Sequence, residues 1–238
     1  MANFSGLKYL FFLLLILAVP AYAYSEIIVN DTVALSGEEI LIKVETKSGY
    51  FAKGGKTVEF SVNGKSVGSV LSGGDSIAYK IFKTGGPGMY TVSARCGKDT
   101  GSGVILVLKK NSKLVFIDIE GSLLAVPFAK KPINSSREVI RKIMNSYPVI
   151  YLHTGNIGLR EVRDWLRQNR FPVSAVLSWQ TGDIFTALNK KGLKIKAVIG
   201  SQAVFDSANA NKPEFFGFDE EDSSKNIKAW QDIEKKLR

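Results

Sequence analysis

The 238-residue chain has little of what many folds and sites need: one cysteine, one histidine, three methionines and seven prolines. One cysteine excludes a disulfide framework and any zinc site built on several thiolates. One histidine excludes a centre built on several imidazoles. Twenty-two glycines without a tripeptide period exclude collagen. The chain is basic, with 32 Lys and Arg against 22 Asp and Glu and a net charge of +10, yet no basic run exceeds two residues. That spread is background attraction to anions and argues against nucleic acid as a partner. Hydrophobic residues make up 45% and charged residues 23%, the balance of a globular protein.

Lys8 precedes an apolar run from Tyr9 to Val19, Pro20 ends it, and Ala21-Tyr22-Ala23 supplies small residues at the positions a signal peptidase reads. Eleven apolar residues are too few to span a ~30 Å hydrocarbon core comfortably. Residues 1–23 are expected to be a cleaved secretory signal peptide, with the mature chain in the periplasm or outside the cell. No cysteine follows the run, so no lipoprotein anchor is expected.

Residues 24–110 carry a period of two. Val58, Phe60 and Val62 alternate with polar neighbours, as do Tyr90, Val92, Ala94 and Cys96, and Ile77, Tyr79 and Ile81 alternate with Ala78 and Lys80. Asn63-Gly64 between two such runs signals a hairpin. Seven strands are predicted, at 26–30, 39–46, 57–62, 66–71, 76–82, 89–96 and 103–108, which suggests a two-sheet sandwich. Gly88-Met89-Tyr90-Thr91-Val92 resembles the tyrosine-corner strand of immunoglobulin-like domains. The resemblance implies a Tyr90 hydroxyl bonded back to the preceding corner, and Val92 in the slot antibody domains give to cysteine. Such a domain is expected to be a spacer or a protein-binding module. Cys96 reads as a small strand residue of its core.

From Asn111 the pattern changes to alternating strand and helix, expected as a mainly parallel α/β sheet with helices on both faces over 111–238. Leu114 to Ile117, Val149 to Leu152, Val173 to Leu177 and Glu214 to Phe218 read as strands. A helix is expected from a capping box at Ser135 to Glu138, others at 159–170, 183–189 and 193–207, and a last one at 225–237. Chemistry in such sheets collects at the carboxyl ends of the strands. The first strand ends in Asp118-Ile119-Glu120-Gly121-Ser122, the second in His153-Thr154-Gly155, and the last runs into Asp219-Glu220-Glu221-Asp222. Lys194 and Lys196 precede the last strand. A competing register makes Val198 to Ser201 the fourth strand, with Asp206 as its acid.

This order, with Phe116 to Ser122, Tyr151 to Gly155 and Trp165 to Pro172, resembles the haloacid dehalogenase (HAD)-like superfamily over about residues 113–230. Within it, the texture is similar to the C-terminal domain of lipins and membrane-associated phosphatidylinositol transfer proteins. The resemblance implies a Mg²⁺-dependent phosphatase with Asp118 as nucleophile, Thr154 on a phosphoryl oxygen, and Lys196, or else Lys194, neutralising charge. Mg²⁺ would be held by Asp118, Asp219, Asp222 and the main-chain carbonyl of Glu120. Glu120 stands where the family's acid/base aspartate is expected, and its extra methylene displaces the carboxylate by ~1.5 Å, enough to impair proton transfer. His153 reads as a structural histidine, and Trp165, Trp179 and Trp230 as packing residues. Three functions remain open from the sequence. They are hydrolysis of a phosphomonoester such as the lipid headgroup of phosphatidate, binding of a phosphorylated small molecule or phospholipid headgroup without turnover at a peripheral membrane contact, and an envelope interaction protein.

Overall fold

The computed structural model describes residues 25–48, 51–52, 54–124, 131–155, 157–179, 183–218 and 223–237. The expected signal peptide and the acidic run 219–222 lie outside them. Among the described residues no helix is long and apolar enough to cross a membrane.

The first half is a β sandwich. One sheet is built around β3 (Glu39–Ser48), which pairs antiparallel with β1 (Ser25–Val29), β4 (Phe51–Ala52) and β7 (Ile77–Lys83). The other runs β2 (Thr32–Leu35), β9 (Asp99–Leu108), β8 (Gly88–Cys96), β5 (Thr57–Val62), β6 (Lys65–Leu71). Its pairs are antiparallel except β2 with β9, which run parallel from Thr32 opposite Ile105 to Leu35 opposite Leu108. The alternation read from the sequence decides the facing of β5 and β8, where Val58, Phe60, Val62, Val92 and Ala94 point into one core with Ile42, Val44 and Ala78. In β7 the reading is corrected, because Ala78 is buried while Tyr79 and Ile81 are exposed. Asn63 (φ 48°) and Gly64 (φ 76°) form the two-residue turn between β5 and β6. Their positive φ values match the twist of the hairpin. The Tyr90 hydroxyl donates to the Gly86 carbonyl at 2.8 Å, closing the corner that the sequence suggested.

Two short strands escape the alternation pattern. β2 begins two residues after β1, because the chain crosses from one sheet to the other at Asn30-Asp31 without any turn glycine or proline. β4 is two residues long.

The second half is a five-stranded parallel sheet in the order β12 (Val176–Ser178), β11 (Val149–His153), β10 (Lys113–Asp118), β13 (Lys194–Gly200), β14 (Glu214–Gly217). α1 (Ile119–Ser122) leaves the end of β10, and α2 (Ser136–Met144), α3 (Leu159–Gln168), α4 (Ile184–Lys190), α5 (Gln202–Ala208) and α6 (Ser223–Leu237) connect or follow the strands. Continuous apolar runs make strands buried on both faces. Val115, Ile117, Val149, Tyr151, Ala197 and Ile199 meet α2, α3 and Trp230 of α6 on one side. Leu114, Phe116, Ile150, Leu152 and Val198 meet α4 and α5 on the other, where Phe116 and Phe185 pack edge to face at 4.9 Å.

Two expectations are corrected. Residues 194–200 form a strand where a helix over 193–207 was expected, and α5 follows only from Gln202. The segment opens with Ile195 and Ala197 alternating with Lys194 and Lys196, and closes in a buried run, Ala197 to Gly200. The competing register was therefore the right one for the neighbour of β10, and β14 lies outside it. The capping box at α2 is not made: Ser135 is left-handed (φ 67°) without a side-chain cap, Ser136 donates to the Ile133 carbonyl, and Glu138 pairs with Arg137.

The halves share a core. Val33 and Leu108 of the sandwich are buried in the same apolar cluster as Leu114, Phe116 and Phe185. Beside it lies Asp31, whose Oδ1 accepts from the Val104 amide at 2.6 Å and the Arg163 guanidinium at 2.5 Å, and whose Oδ2 accepts from the Val176 amide at 2.7 Å. Burial pushes the Asp31 pKa up against the pull of Arg163 and both amides. Arg163 also donates to the Ser102 carbonyl, and Lys191 to Glu38 at 2.6 Å.

Candidate functional site

The carboxyl ends of β10, β11 and β13 bring together Asp118, Glu120, His153, Thr154 and Ser201. Asp118 is the last residue of β10 and caps α1. It is fully buried. Its Oδ1 accepts from the Gly121 amide at 3.0 Å and from the Thr154 hydroxyl at 2.8 Å. Its Oδ2 accepts from the Ser201 hydroxyl at 2.6 Å and the Ser201 amide at 3.2 Å. Four donors on two oxygens saturate the carboxylate. The packing is as tight as the hydrogen bonding: a Cβ on Gly121 would lie 2.3 Å from Asp118 Oδ2, and one on Gly200 2.3 Å from Asp118 Cβ. The chain can pass this close only because both positions are glycine.

Glu120 is held separately. Its Oε1 lies 2.5 Å from His153 Nδ1, and its Oε2 accepts from the Thr154 amide at 2.9 Å. His153 Nε2 lies 2.5 Å from the Ile157 carbonyl. A carbonyl oxygen only accepts, and a carboxylate accepts too, so the two contacts together favour hydrogen on both ring nitrogens, the imidazolium form. The hydrogen bond to Glu120 raises the His153 pKa, against desolvation. Burial works against ionised Glu120, but His153 and the Thr154 amide outweigh it and hold its pKa low. Thr154 Oγ1 also lies 3.1 Å from Glu120 Oε2, and the shorter distance to Asp118 favours that oxygen for its single proton.

The sequence-predicted residues thus divide. Asp118, Glu120 and Thr154 converge. Lys196 does not: β13 runs parallel to β10, with Lys194 beside Lys113 at one end and Gly200 next to Asp118 at the other. Four residues of strand at ~3.3 Å each place Lys196 about 13 Å before that end. It is bound to Glu214 at 2.5 Å, the contact that raises its pKa. Neither Lys196 nor Lys194, at the start of the same strand, can neutralise charge beside Asp118. Asp219 and Asp222 lie outside the described residues. Ser201, which the sequence offered only in the competing register, is the residue that completes the site. Its signal was the apolar run Val198 to Gly200 directly before it. Trp165 stacks on Phe171 at 5.5 Å and Trp230 is fully buried against Phe218, both as packing residues. Trp179 donates to the Ser207 hydroxyl.

The described donors do not fit Mg²⁺. Both Asp118 oxygens already accept hydrogen bonds, and Glu120 is engaged by His153 and the Thr154 amide, so neither carboxylate offers free lone pairs to a cation. Among the described residues no three metal-ligating side chains form a group.

No protein-family model matches the chain, and no curated protein does. Solved structures similar to it include the D0–D1 domain of intimin, at 17% identity and a TM-score of 0.31, covering 38% of this chain and 56% of that one. Domains 4 and 5 of the S-layer protein SbsC match at 19% identity and a TM-score of 0.25, covering 36% and 53%. Fibronectin(III)-like modules of Clostridium thermocellum CbhA match at 19% identity and a TM-score of 0.24, covering 35% and 97%. The chain spans little more than half of the intimin and S-layer structures. The resemblance to the haloacid dehalogenase superfamily and to lipins is corrected by these findings. No family model of that kind matches, and the lysine that the resemblance requires lies at the wrong end of the sheet.

Proposed function

We propose that this chain is an exported binding protein that recognises a phosphate-bearing molecule or phospholipid headgroup and does not turn it over, with the sandwich as its spacer or protein-binding arm. What carries the reading is the saturation of Asp118. A nucleophile needs a lone pair aimed at open space, and this carboxylate is fully buried with donors on both oxygens. Glu120 is engaged by His153 and its pKa is held low, which disfavours the protonated form a general acid needs. The Asp118 constellation acts as a pin that joins the ends of three strands. The excess of basic charge supports an anionic ligand, and the leader read at residues 1–23 supports export.

The test is an assay of purified residues 24–238 on p-nitrophenyl phosphate and on phosphatidate with Mg²⁺, beside the Asp118→Asn variant. The expected result is no turnover above that variant, and none gained by Glu120→Asp. Turnover in the unmodified protein that Asp118→Asn abolishes would overturn the reading in favour of hydrolysis.

A further inference from the structure

The other end of the parallel sheet carries the opposite chemistry. The loop entering β10, Lys109-Lys110-Asn111-Ser112-Lys113, and the loop entering β13, Lys190-Lys191-Gly192-Leu193-Lys194, each hold three lysines in five residues and no acid. The fold ties them together: the Asn111 amide donates to the Gly192 carbonyl at 2.8 Å, and the Lys194 amide to the Ser112 carbonyl at 2.9 Å. Lys113 and Lys194 are direct neighbours on adjacent strands. Beside them lies a depression of about 310 Å³ lined by Lys113, Lys194, Lys196 and Lys212. Glu214, the acid in its wall, is bound to Lys196, and Lys191 is bound to Glu38.

We propose that this lysine-lined depression is an anion site, taking a phosphate group with two or more negative charges, presented on a lipid headgroup or a soluble ester. The ammonium groups act as point charges around the phosphate oxygens. The ligand class rests on the binding function proposed above. The placement of the site rests on the lysines alone.

The experiment measures binding of pyrophosphate by calorimetry, and of phosphatidylcholine vesicles with and without phosphatidate by sedimentation. It compares the purified protein with the Lys113→Gln/Lys194→Gln double variant. Both lysines are exposed, and a thermal melt of the variant serves as the check on its folding. A second double variant, Lys65→Gln/Lys98→Gln, removes the same charge from exposed positions of the sandwich. At roughly 1 kcal/mol for each lysine at an anionic surface, the first pair should weaken binding about tenfold or more and the second should leave it nearly unchanged. Pyrophosphate binding without vesicle binding assigns a soluble ester; vesicle binding that requires phosphatidate, without pyrophosphate binding, assigns a headgroup. Binding of neither probe by the unmodified protein, or equal weakening by the two double variants, would overturn the site. Turnover abolished by Asp118→Asn would instead overturn the non-catalytic reading and leave these binding ratios unchanged.

Discussion

Glu120 and His153 show how one residue's environment changes its use. A glutamate after a strand end is ordinarily solvated, but here it is clasped between an imidazolium and a backbone amide. The pair makes stability depend on pH from both sides. His153, with its pKa raised above the unfolded ~6.5, contributes stability that is complete below that value and fades as pH rises through the folded pKa. Glu120, with its pKa lowered below the unfolded ~4.3, contributes stability that is present above that value and fades as pH falls through the folded pKa. Both contributions are therefore in force together between about pH 4.3 and 6.5. The His153 ring should titrate by NMR above the ordinary histidine range, and Glu120→Gln should bring its midpoint back down. An unshifted midpoint in the variant would mean that Glu120 does not set it. Little of this could be read in the sequence. Asp118 and Thr154 were visible as polar residues ending apolar strands, and their meeting followed from parallel topology. The His153–Glu120 clasp was not visible, because the local pattern says nothing of where a glutamate one turn past a strand will fold.

At the scale of the element, β13 is the instructive case. Its early lysines gave it the look of a solvated helix, whereas in the sheet they sit at the exposed amino end and only the following run is buried on both faces. The hairpin at Asn63-Gly64 was legible because its turn residues are dictated locally. The identity of the strand next to β10 was not, because only tertiary pairing decides it. The end of β13 also fixes the spacing of the site. Gly200→Ala would drive a methyl group to 2.3 Å from Asp118 Cβ, so strand or carboxylate must move. Overpacking of this kind costs about 1–3 kcal/mol. Denaturant unfolding should show a loss in that range, and a midpoint equal to that of the unmodified protein would disprove the close approach.

The whole molecule is held by more than the short segment between β9 and β10. The sandwich contributes Val33 and Leu108 to the core beneath one face of the parallel sheet, and Asp31 ties a backbone amide of each half to Arg163. Removing one member of a buried ion pair costs about 3–5 kcal/mol, because the partner charge is left uncompensated. Asp31→Ala should therefore lower the unfolding free energy by about that amount, with both halves affected in one calorimetric transition. A separate melt of the sandwich at its original temperature would show that the latch does not couple them. Composition and period revealed the two units, but not that they share a core: Asp31 lies in a sheet crossing that no local signal marks. The same crossing starts β2, and there the geometry has a mechanical side. The chain enters the ladder at Thr32 and leaves it beside that strand's far end, at Leu108, with the two strands parallel. Tension reaching Thr32 from one side and Leu108 from the other pulls the strands lengthwise past each other. The ladder bonds then carry the load together in shear, rather than opening one at a time like a zip.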